Sequence, residues 1–193
     1  MPEYLRYSLK TGHVIYIPEG SAEEVIMKKL LESNNLIFKN GDIYKEDKLI
    51  RTYSRTRQGR KFARENLEMD YGKRHINILR ILDSKREKFN LGKVYDERIQ
   101  EEKIRIFDIL TRPEIEILII INEGHYEKFT NRKGDIGAST YCKKELKMRE
   151  VKNKKFVSSY FNDIDILINS IKRYKELHSG KNEYCLFDLL DIW

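Results

Sequence analysis

The sequence predicts an α/β fold with a mostly parallel sheet flanked by helices, and three short apolar segments are the basis for this prediction. The segments are residues 13–17, 76–82 and 104–110. Each is rich in branched aliphatic or aromatic side chains and ends at a turn or a polar residue, as buried strands do. Helical segments separate them, and this alternation of strand and helix is typical of parallel sheets.

The first helix is predicted directly after the first strand, at about residues 22–33. Ser21 and Glu24 have the spacing of a capping box, and apolar side chains then recur along one side. Two asparagines interrupt the pattern. Residues 36–38 are a candidate second strand, and residues 61–69 contain good helix formers with little amphipathic pattern.

The apolar segment 111–124 is predicted to be a buried helix rather than a strand. Thr111 and Glu114 form a second capping-box pattern, and Pro113 lies in the first turn, where its missing N–H is tolerated. Gly124 can adopt the left-handed conformation that ends many helices.

The C-terminal part of the chain has helical character from residue 140 onwards. Its clearest helix, residues 163–177, places aliphatic side chains along one face. The sequence shows no internal repeat or low-complexity linker. We therefore expect a single domain over residues 1–193, with an α/β core in 1–125 and a helical extension in 126–193.

Composition excludes several broad classes of protein. The 38 Lys and Arg outnumber the 31 Asp and Glu, which gives a formal charge of +7, but 40% of residues are hydrophobic and 11% aromatic. Disordered chains lack that apolar content. No apolar run reaches the roughly 18 residues of a membrane span, and the N-terminus has no signal-peptide core. Cys142 and Cys185 form neither a disulfide framework nor a CxxC zinc pattern, so we expect a cytoplasmic protein without membrane association.

Three acids lie where predicted elements end or begin: Glu19, Asp83 and Glu116. Open α/β sheets bind ligands beyond the carboxyl ends of their strands. Carboxylates gathered there can hold Mg²⁺, which prefers oxygen ligands and can bridge to phosphate. Each acid taken singly also has a structural interpretation, as a turn residue or a helix cap.

Glu114 and Glu116 are expected to have different roles. Two positions along a helix differ by about 200°, so the two carboxylates cannot face one ligand. The capping box occupies Glu114. Glu116 has no such role and lies in an apolar run, where a carboxylate needs a partner or a metal.

Residues 51–64 form the most basic segment, with six cations, two aromatic residues and no acid. Tyr53 and Phe62 among the cations would combine stacking surfaces with phosphate contacts, as single-strand grooves do. A solvated loop is the alternative interpretation. The candidate nucleic-acid contacts are Arg51, Arg55, Arg57, Arg60, Lys61 and Arg64.

Motifs of several other enzyme classes are missing from the sequence. The chain has no GxxxxGK[ST] or GxGxxG loop, no GxSxG elbow, no HExxH and no Cys/His spacing suited to zinc. It is therefore not itself a P-loop ATPase or a Rossmann oxidoreductase.

Three of these segments resemble Toprim domains, the catalytic domains of topoisomerases, primases, OLD nucleases and small RNA-maturation nucleases. Glu19-Gly20 followed by Glu23 and an amphipathic helix is similar to the family's opening motif. The strand that ends at Asp83 resembles its second motif, and the segment 112–118 (RPEIEIL) is similar to the "NPxFE" helix start of the smaller RloB-like branch.

The resemblance implies a metal-dependent nuclease or nuclease-like effector that uses Mg²⁺ or Mn²⁺. Residue by residue, it makes Glu19 the general base or a metal ligand, Asp83 a metal ligand and Glu116 the branch-specific acid. The RloB-like branch commonly accompanies a separate SMC-like or ABC-like ATPase in anti-phage defence. The resemblance therefore implies nucleic acid and such an ATPase as partners, in bacterial defence or a mobile element.

The chain departs from the family at the second motif, where Asp-x-Asp is usual. This sequence has Asp83-Ser84-Lys85, so an amine replaces the second carboxylate. Lys85 would then neutralise charge at the catalytic site, or Glu87 or Glu23 would supply the missing acid, or catalysis is lost. The last case leaves a non-catalytic module that binds nucleic acid or protein.

Overall fold

The chain folds around a three-stranded parallel sheet flanked by helices, which confirms the predicted α/β class. The computed structural model describes residues 2–39, 43–45, 48–50, 52–68, 71–72, 74–84, 88–132, 134, 136–179 and 182–192.

The strands are β1 (His13–Pro18), β2 (Ile43–Lys45), β3 (Lys48–Ile50), β4 (Ile76–Leu82) and β5 (Ile104–Leu110). The helices are α1 (Pro2–Thr11), α2 (Ser21–Glu32), α3 (Gly59–Asn66), α4 (Asp96–Gln100), α5 (Ile117–Asn122), α6 (Tyr126–Thr130), α7 (Ala138–Lys144), α8 (Lys154–Tyr160) and α9 (Ile164–Leu177).

The central strand of the sheet is β4, which pairs in parallel with β1 on one side and β5 on the other. β2 and β3 form a separate antiparallel pair. The register places Pro18 opposite Ile81, and Leu82 opposite Leu110. The three strands therefore end together, and the residues that follow them leave from one edge of the sheet, called the carboxyl edge below.

Both faces of the sheet are buried, because successive side chains of a strand point to opposite sides. On one face, Val14, Leu79 and Ile109 pack in the larger core with α2, α5 and the C-terminal helices. On the other face, Ile15 and Ile78 pack in a smaller core that includes α3. Burial on both faces explains why the strands appear in the sequence as nearly continuous apolar runs.

The C-terminal helices pack on the α/β core, with α8 against α2 and α9 against α5. The predicted helix at 163–177 is confirmed as α9. The side chain of Asp163 accepts a hydrogen bond from the backbone N–H of Asp165 at 2.9 Å and caps this helix. In the described parts of the chain, no helix combines the length and the apolar character needed to cross a bilayer.

Some local predictions were wrong in detail. Residues 36–38 do not form a strand, since Leu36 makes only an isolated bridge to Leu190. The helix predicted at 22–33 is α2, but its N-cap is Gly20, and no side chain caps it. The Ser21–Glu24 capping box is therefore not formed. The Glu24 carboxylate instead pairs with cations from other segments.

The apolar helix predicted at 111–124 is shorter than expected and begins at Ile117. The backbone N–H of Thr111 instead donates to the carbonyl of Leu82 at 2.9 Å, which continues the ladder between β4 and β5. Glu114 does not close a capping box with Thr111. Its carboxylate accepts hydrogen bonds from the backbone N–H and hydroxyl of Ser139.

Candidate active site

Glu19 and Asp83 lie side by side at the carboxyl edge, because each directly follows one of two neighbouring strands. The backbone N–H of Asp83 donates a hydrogen bond to Oε2 of Glu19 at 2.9 Å. The backbone N–H of Glu19 donates to the carbonyl of Ile81 at 2.9 Å. The ladder between β1 and β4 therefore extends one residue beyond β1 and fixes the position of the Glu19 side chain.

Arg57 is the cation that contacts Glu19. Its Nη1 donates to the backbone carbonyl of Glu19 at 3.0 Å, and its Nη2 lies 3.4 Å from Oε1. Burial raises the pKa of Glu19, the Asp83 backbone N–H lowers it, and the Asp83 charge raises it again. Arg57 opposes the increase, but the net direction is upward. Glu19 is therefore a carboxylate whose charge is only partly compensated.

Glu23 lies in the first turn of α2. Together with Glu19, Asp83 and Glu116 it forms a group of acids that is named the acid cluster. Glu23 is 8% exposed. Burial raises the pKa of Glu23 to about 7, and the charges of Glu116, Glu19 and Asp83 contribute to the increase. At neutral pH a substantial fraction of this side chain is therefore protonated. The sequence offered Glu23 as one of two replacements for the missing motif acid, and it faces the same acids.

Glu116 immediately precedes α5 and is 4% exposed. Burial raises its pKa, Lys152 opposes the increase, and Glu114 and Asp83 add to it. The expected role of Glu114 in a capping box was wrong: Glu114 also lies near Lys152, and its carboxylate accepts hydrogen bonds from Ser139. Burial alone would raise the pKa of Glu114, but the Ser139 N–H and Lys152 lower it overall.

Lys152 belongs to the C-terminal part of the chain, and the sequence did not identify it as a site residue. Its Nζ lies 3.2 Å from Oε1 of Glu114. Partial burial would lower the pKa of Lys152, but Glu116, Glu114 and Glu23 raise it overall. Lys152 therefore partly neutralises these acids. It comes from the C-terminal part of the chain, whereas Arg57 comes from the basic segment. Only the positive run of residues 152–155 could have indicated it.

The described cations of the basic segment fall into two groups. Arg55 and Arg57 pair with Glu24 and Glu19, beside the acid cluster. The others lie on the exposed side of α3, where Lys61 pairs with Glu65 at 3.8 Å. These exposed residues are Arg60, Lys61 and Arg64.

The two aromatic residues of the basic segment are not equivalent. Phe62 is fully buried in the smaller core, so its predicted role as a stacking surface for bases was wrong. Tyr53 is half-buried, with its ring 5.2 Å from that of Tyr16. The predicted site residues Arg51 and Lys85, and the alternative acid Glu87, lie outside the described residues.

The donor set of the cluster fits Mg²⁺ better than a metal that needs a full protein cage. Within the described ranges, no three His, Cys, Asp or Glu side chains are arranged to hold a metal ion together. Mg²⁺ is commonly held by one or two carboxylates, with water and substrate phosphate completing the shell. Glu19 and Asp83 supply two adjacent carboxylates, and the burial of Glu23 and Glu116 leaves negative charge that a cation would offset.

Compared with known proteins, the chain matches no family model, no curated protein and no solved structure.

Proposed function

We propose that this chain is a Toprim-like, metal-dependent nuclease or nuclease-like effector that acts on nucleic acid. The observation that carries the proposal is the pairing of Glu19 and Asp83 at the carboxyl edge. The charge of Asp83 also raises the pKa of the buried acids Glu23 and Glu116, which supports a concentration of negative charge near this pair. Such a concentration of partly buried carboxylates costs free energy unless it serves a ligand.

Glu19 and Asp83 are the proposed metal ligands. Bound Mg²⁺ or Mn²⁺ supplies positive charge for phosphoryl oxygens and lowers the pKa of coordinated water. Glu19, whose pKa is raised, is also suited to accept a proton from an attacking water. Asp83 fixes the Glu19 carboxylate through its backbone N–H, so the position of Glu19 depends on the main chain.

Two cations that lie beside these acids are suited to binding the phosphate backbone. Arg57 contacts Glu19, and Lys152 lies beside Glu114 and Glu116. In this proposal the two residues take the charge-neutralising role for which Lys85 was one candidate, which is to offset negative charge near the scissile phosphate. A polyanion bound at this edge would also reduce the repulsion between Arg57 and the neighbouring cations of the basic segment.

The biological setting rests on the resemblance to the RloB-like and OLD-nuclease branch of Toprim proteins. It supports a role in bacterial anti-phage defence or in a mobile element. A separate SMC-like or ABC-like ATPase is the proposed partner, because the RloB-like branch commonly accompanies one.

Cleavage assays test this function. Purified protein, alone and with a co-expressed ATPase, is incubated with DNA and with RNA in Mg²⁺ or Mn²⁺, and in chelator. We expect cleavage that the chelator stops and that Glu19→Gln abolishes, since glutamine keeps the shape but not the charge. Glu127→Gln, an exposed acid on α6, is the matched control and should cut normally. Equal cleavage by wild type and Glu19→Gln would reject the site.

A non-catalytic module is the second candidate, and the Asp83-Ser84-Lys85 motif favours it. If wild type binds nucleic acid but cuts neither DNA nor RNA under any of these conditions, the binding module replaces the nuclease.

A further inference from the structure

Two cations from distant parts of the chain meet at a single oxygen atom of Glu24. Nη2 of Arg55 lies 3.0 Å from Oε1, and Nζ of Lys154 lies 2.7 Å from the same atom. Arg55 comes from the basic segment, whereas Lys154 begins α8. The packing of α8 on α2 brings Lys154 to Glu24, so the C-terminal part supplies half of this arrangement.

The charges at this point do not balance. Two positive side chains share one carboxylate, so these three side chains taken together carry one net positive charge. Tyr53 restricts the guanidinium further, since Nε of Arg55 donates to the Tyr53 hydroxyl at 2.8 Å and leaves the Nη atoms for other acceptors. The Arg55 and Lys154 side chains are 72% and 43% exposed, so both remain accessible to a ligand.

A phosphate group matches this arrangement in charge and geometry. It carries negative charge on several oxygens, and it can accept hydrogen bonds from guanidinium and ammonium groups at once. Glu24 directly follows Glu23 of the acid cluster. Arg57, two residues after Arg55, contacts Glu19, so a phosphate held by Arg55 and Lys154 would lie near the proposed active site, on a nucleic-acid strand that continues past it.

We propose that Arg55 and Lys154 form a binding site for one backbone phosphate of nucleic acid, in which Glu24 is an internal competitor. The proposal rests on the proposed function in that its ligand is the nucleic acid that the acid cluster would cut. It adds a contact from the C-terminal helical part and assigns Glu24 the role of limiting affinity. Charge removal at Glu24 should therefore strengthen binding.

The test measures binding to a fluorescein-labelled single-stranded DNA oligonucleotide by anisotropy over a series of NaCl concentrations, in EDTA so that no cleavage occurs. We expect Lys154→Ala and Arg55→Ala each to weaken binding and to lower the salt slope by about one counterion. Lys154→Arg should retain affinity, because it keeps the charge. Glu24→Gln should bind severalfold more tightly than wild type.

Lys172→Ala is the matched control, because Lys172 is an exposed lysine on α9. Melting temperatures of all variants are compared, and the gain expected for Glu24→Gln cannot result from damaged folding if its melting temperature is unchanged. The proposal is overturned if Lys154→Ala behaves like Lys172→Ala, or if Glu24→Gln does not bind more tightly. If the variants change binding as expected but wild type shows no cleavage in Mg²⁺, the phosphate site is upheld and only the proposed nuclease activity is rejected.

Discussion

The backbone N–H of Asp83 donates a hydrogen bond to Oε2 of Glu19, so main-chain geometry at the end of β4 orients the carboxylate that follows β1. The bond does not depend on the Asp83 side chain. Charge at the site can therefore be altered at position 83 without releasing Glu19. This separation allows metal binding to be tested apart from the structure of the sheet edge.

Asp83→Asn should lose stabilisation by metal and be at least as stable as wild type without metal, because the Asp83 charge opposes ionisation of Glu19 in the metal-free protein. A ligand that binds only the folded state at 100 times its dissociation constant stabilises it by about 2.7 kcal/mol. Wild type should therefore melt at a higher temperature in excess Mn²⁺ or Mg²⁺ than in chelator, and Asp83→Asn should not. Glu97→Gln, an exposed acid on α4, serves as the control. An equal metal effect on wild type and Asp83→Asn would remove Asp83 from the ligand set.

Glu23→Gln should stabilise the metal-free protein at alkaline pH. The pKa of Glu23 is about 7 in the folded state against an ordinary value of 4.5. The folded state thus holds the proton more tightly, and the stability linked to Glu23 is complete below pH 4.5 and lost as pH rises to about 7. Glutamine remains neutral and avoids this loss, so the variant should gain up to about 3 kcal/mol at pH 8.

The measurement for Glu23 is urea unfolding in chelator at pH 4.5, 6 and 8. The difference between variant and wild type should be small at pH 4.5, larger at pH 6 and largest at pH 8. A constant difference at all three values would mean that Glu23 is not held neutral by its surroundings.

The strands of the sheet were predictable because their cause is local. β4 is buried along its whole length and β5 at four of its seven positions, so isoleucine and leucine occupy most positions of both strands. Helix α1 was not predicted, although Leu5 and Leu9 are buried at a spacing of one turn. Its remaining side chains are mostly polar or aromatic, so the apolar pattern is short.

The acid cluster was predictable only in part, since its acids follow strands but its cations come from elsewhere. Glu19 and Asp83 could be paired because parallel strands end together. The partners of Glu114 could not, because Ser139 and Lys152 lie 25 and 38 positions further along the chain. Local spacing instead favoured a capping box with Thr111, which tertiary contacts replace.

The partly buried ion pair between Arg80 and Asp108 should respond measurably to removal of one partner. Nη1 of Arg80 lies 3.2 Å from Oδ1 of Asp108 on the adjacent strand, and the Arg80 side chain is 8% exposed. Its guanidinium also lies 4.9 Å from the centre of the Phe89 ring. Removing one member of a fully buried pair costs about 3–5 kcal/mol, and the 27% exposure of the Asp108 side chain places the expected loss at or below the lower end of that range.

Urea unfolding of Asp108→Asn, Arg80→Met and the double variant forms a double-mutant cycle. We expect the double variant to be less destabilised than the sum of the single variants, because neither charge is then left alone. Additive effects would show that the two side chains do not interact in solution.

Glu114→Ala should destabilise the protein for two reasons. It removes the charge of Glu114, and it removes the acceptor that caps helix α7. The N-cap of α7 is Gly137, which has no side chain to offer. Glu114 supplies the missing acceptor from another segment, with the Ser139 backbone N–H at 2.8 Å and the Lys152 ammonium at 3.2 Å. Charged hydrogen bonds of this kind contribute about 1.5–3 kcal/mol when buried, and partial exposure reduces the expected loss to about 1–2 kcal/mol.

The pH dependence identifies this contribution. The pKa of Glu114 is lowered overall, so its stabilising effect is complete above the ordinary value of 4.5 and is lost as pH falls through the lowered pKa. Unfolding of Glu114→Ala and wild type should therefore differ most at pH 7 and converge in acid. Glu127→Ala provides the comparison, since Glu127 is exposed on α6. If Glu114→Ala and Glu127→Ala lower the free energy of unfolding equally at pH 7, the contacts of Glu114 do not stabilise the packing of the segment before α5 on α7.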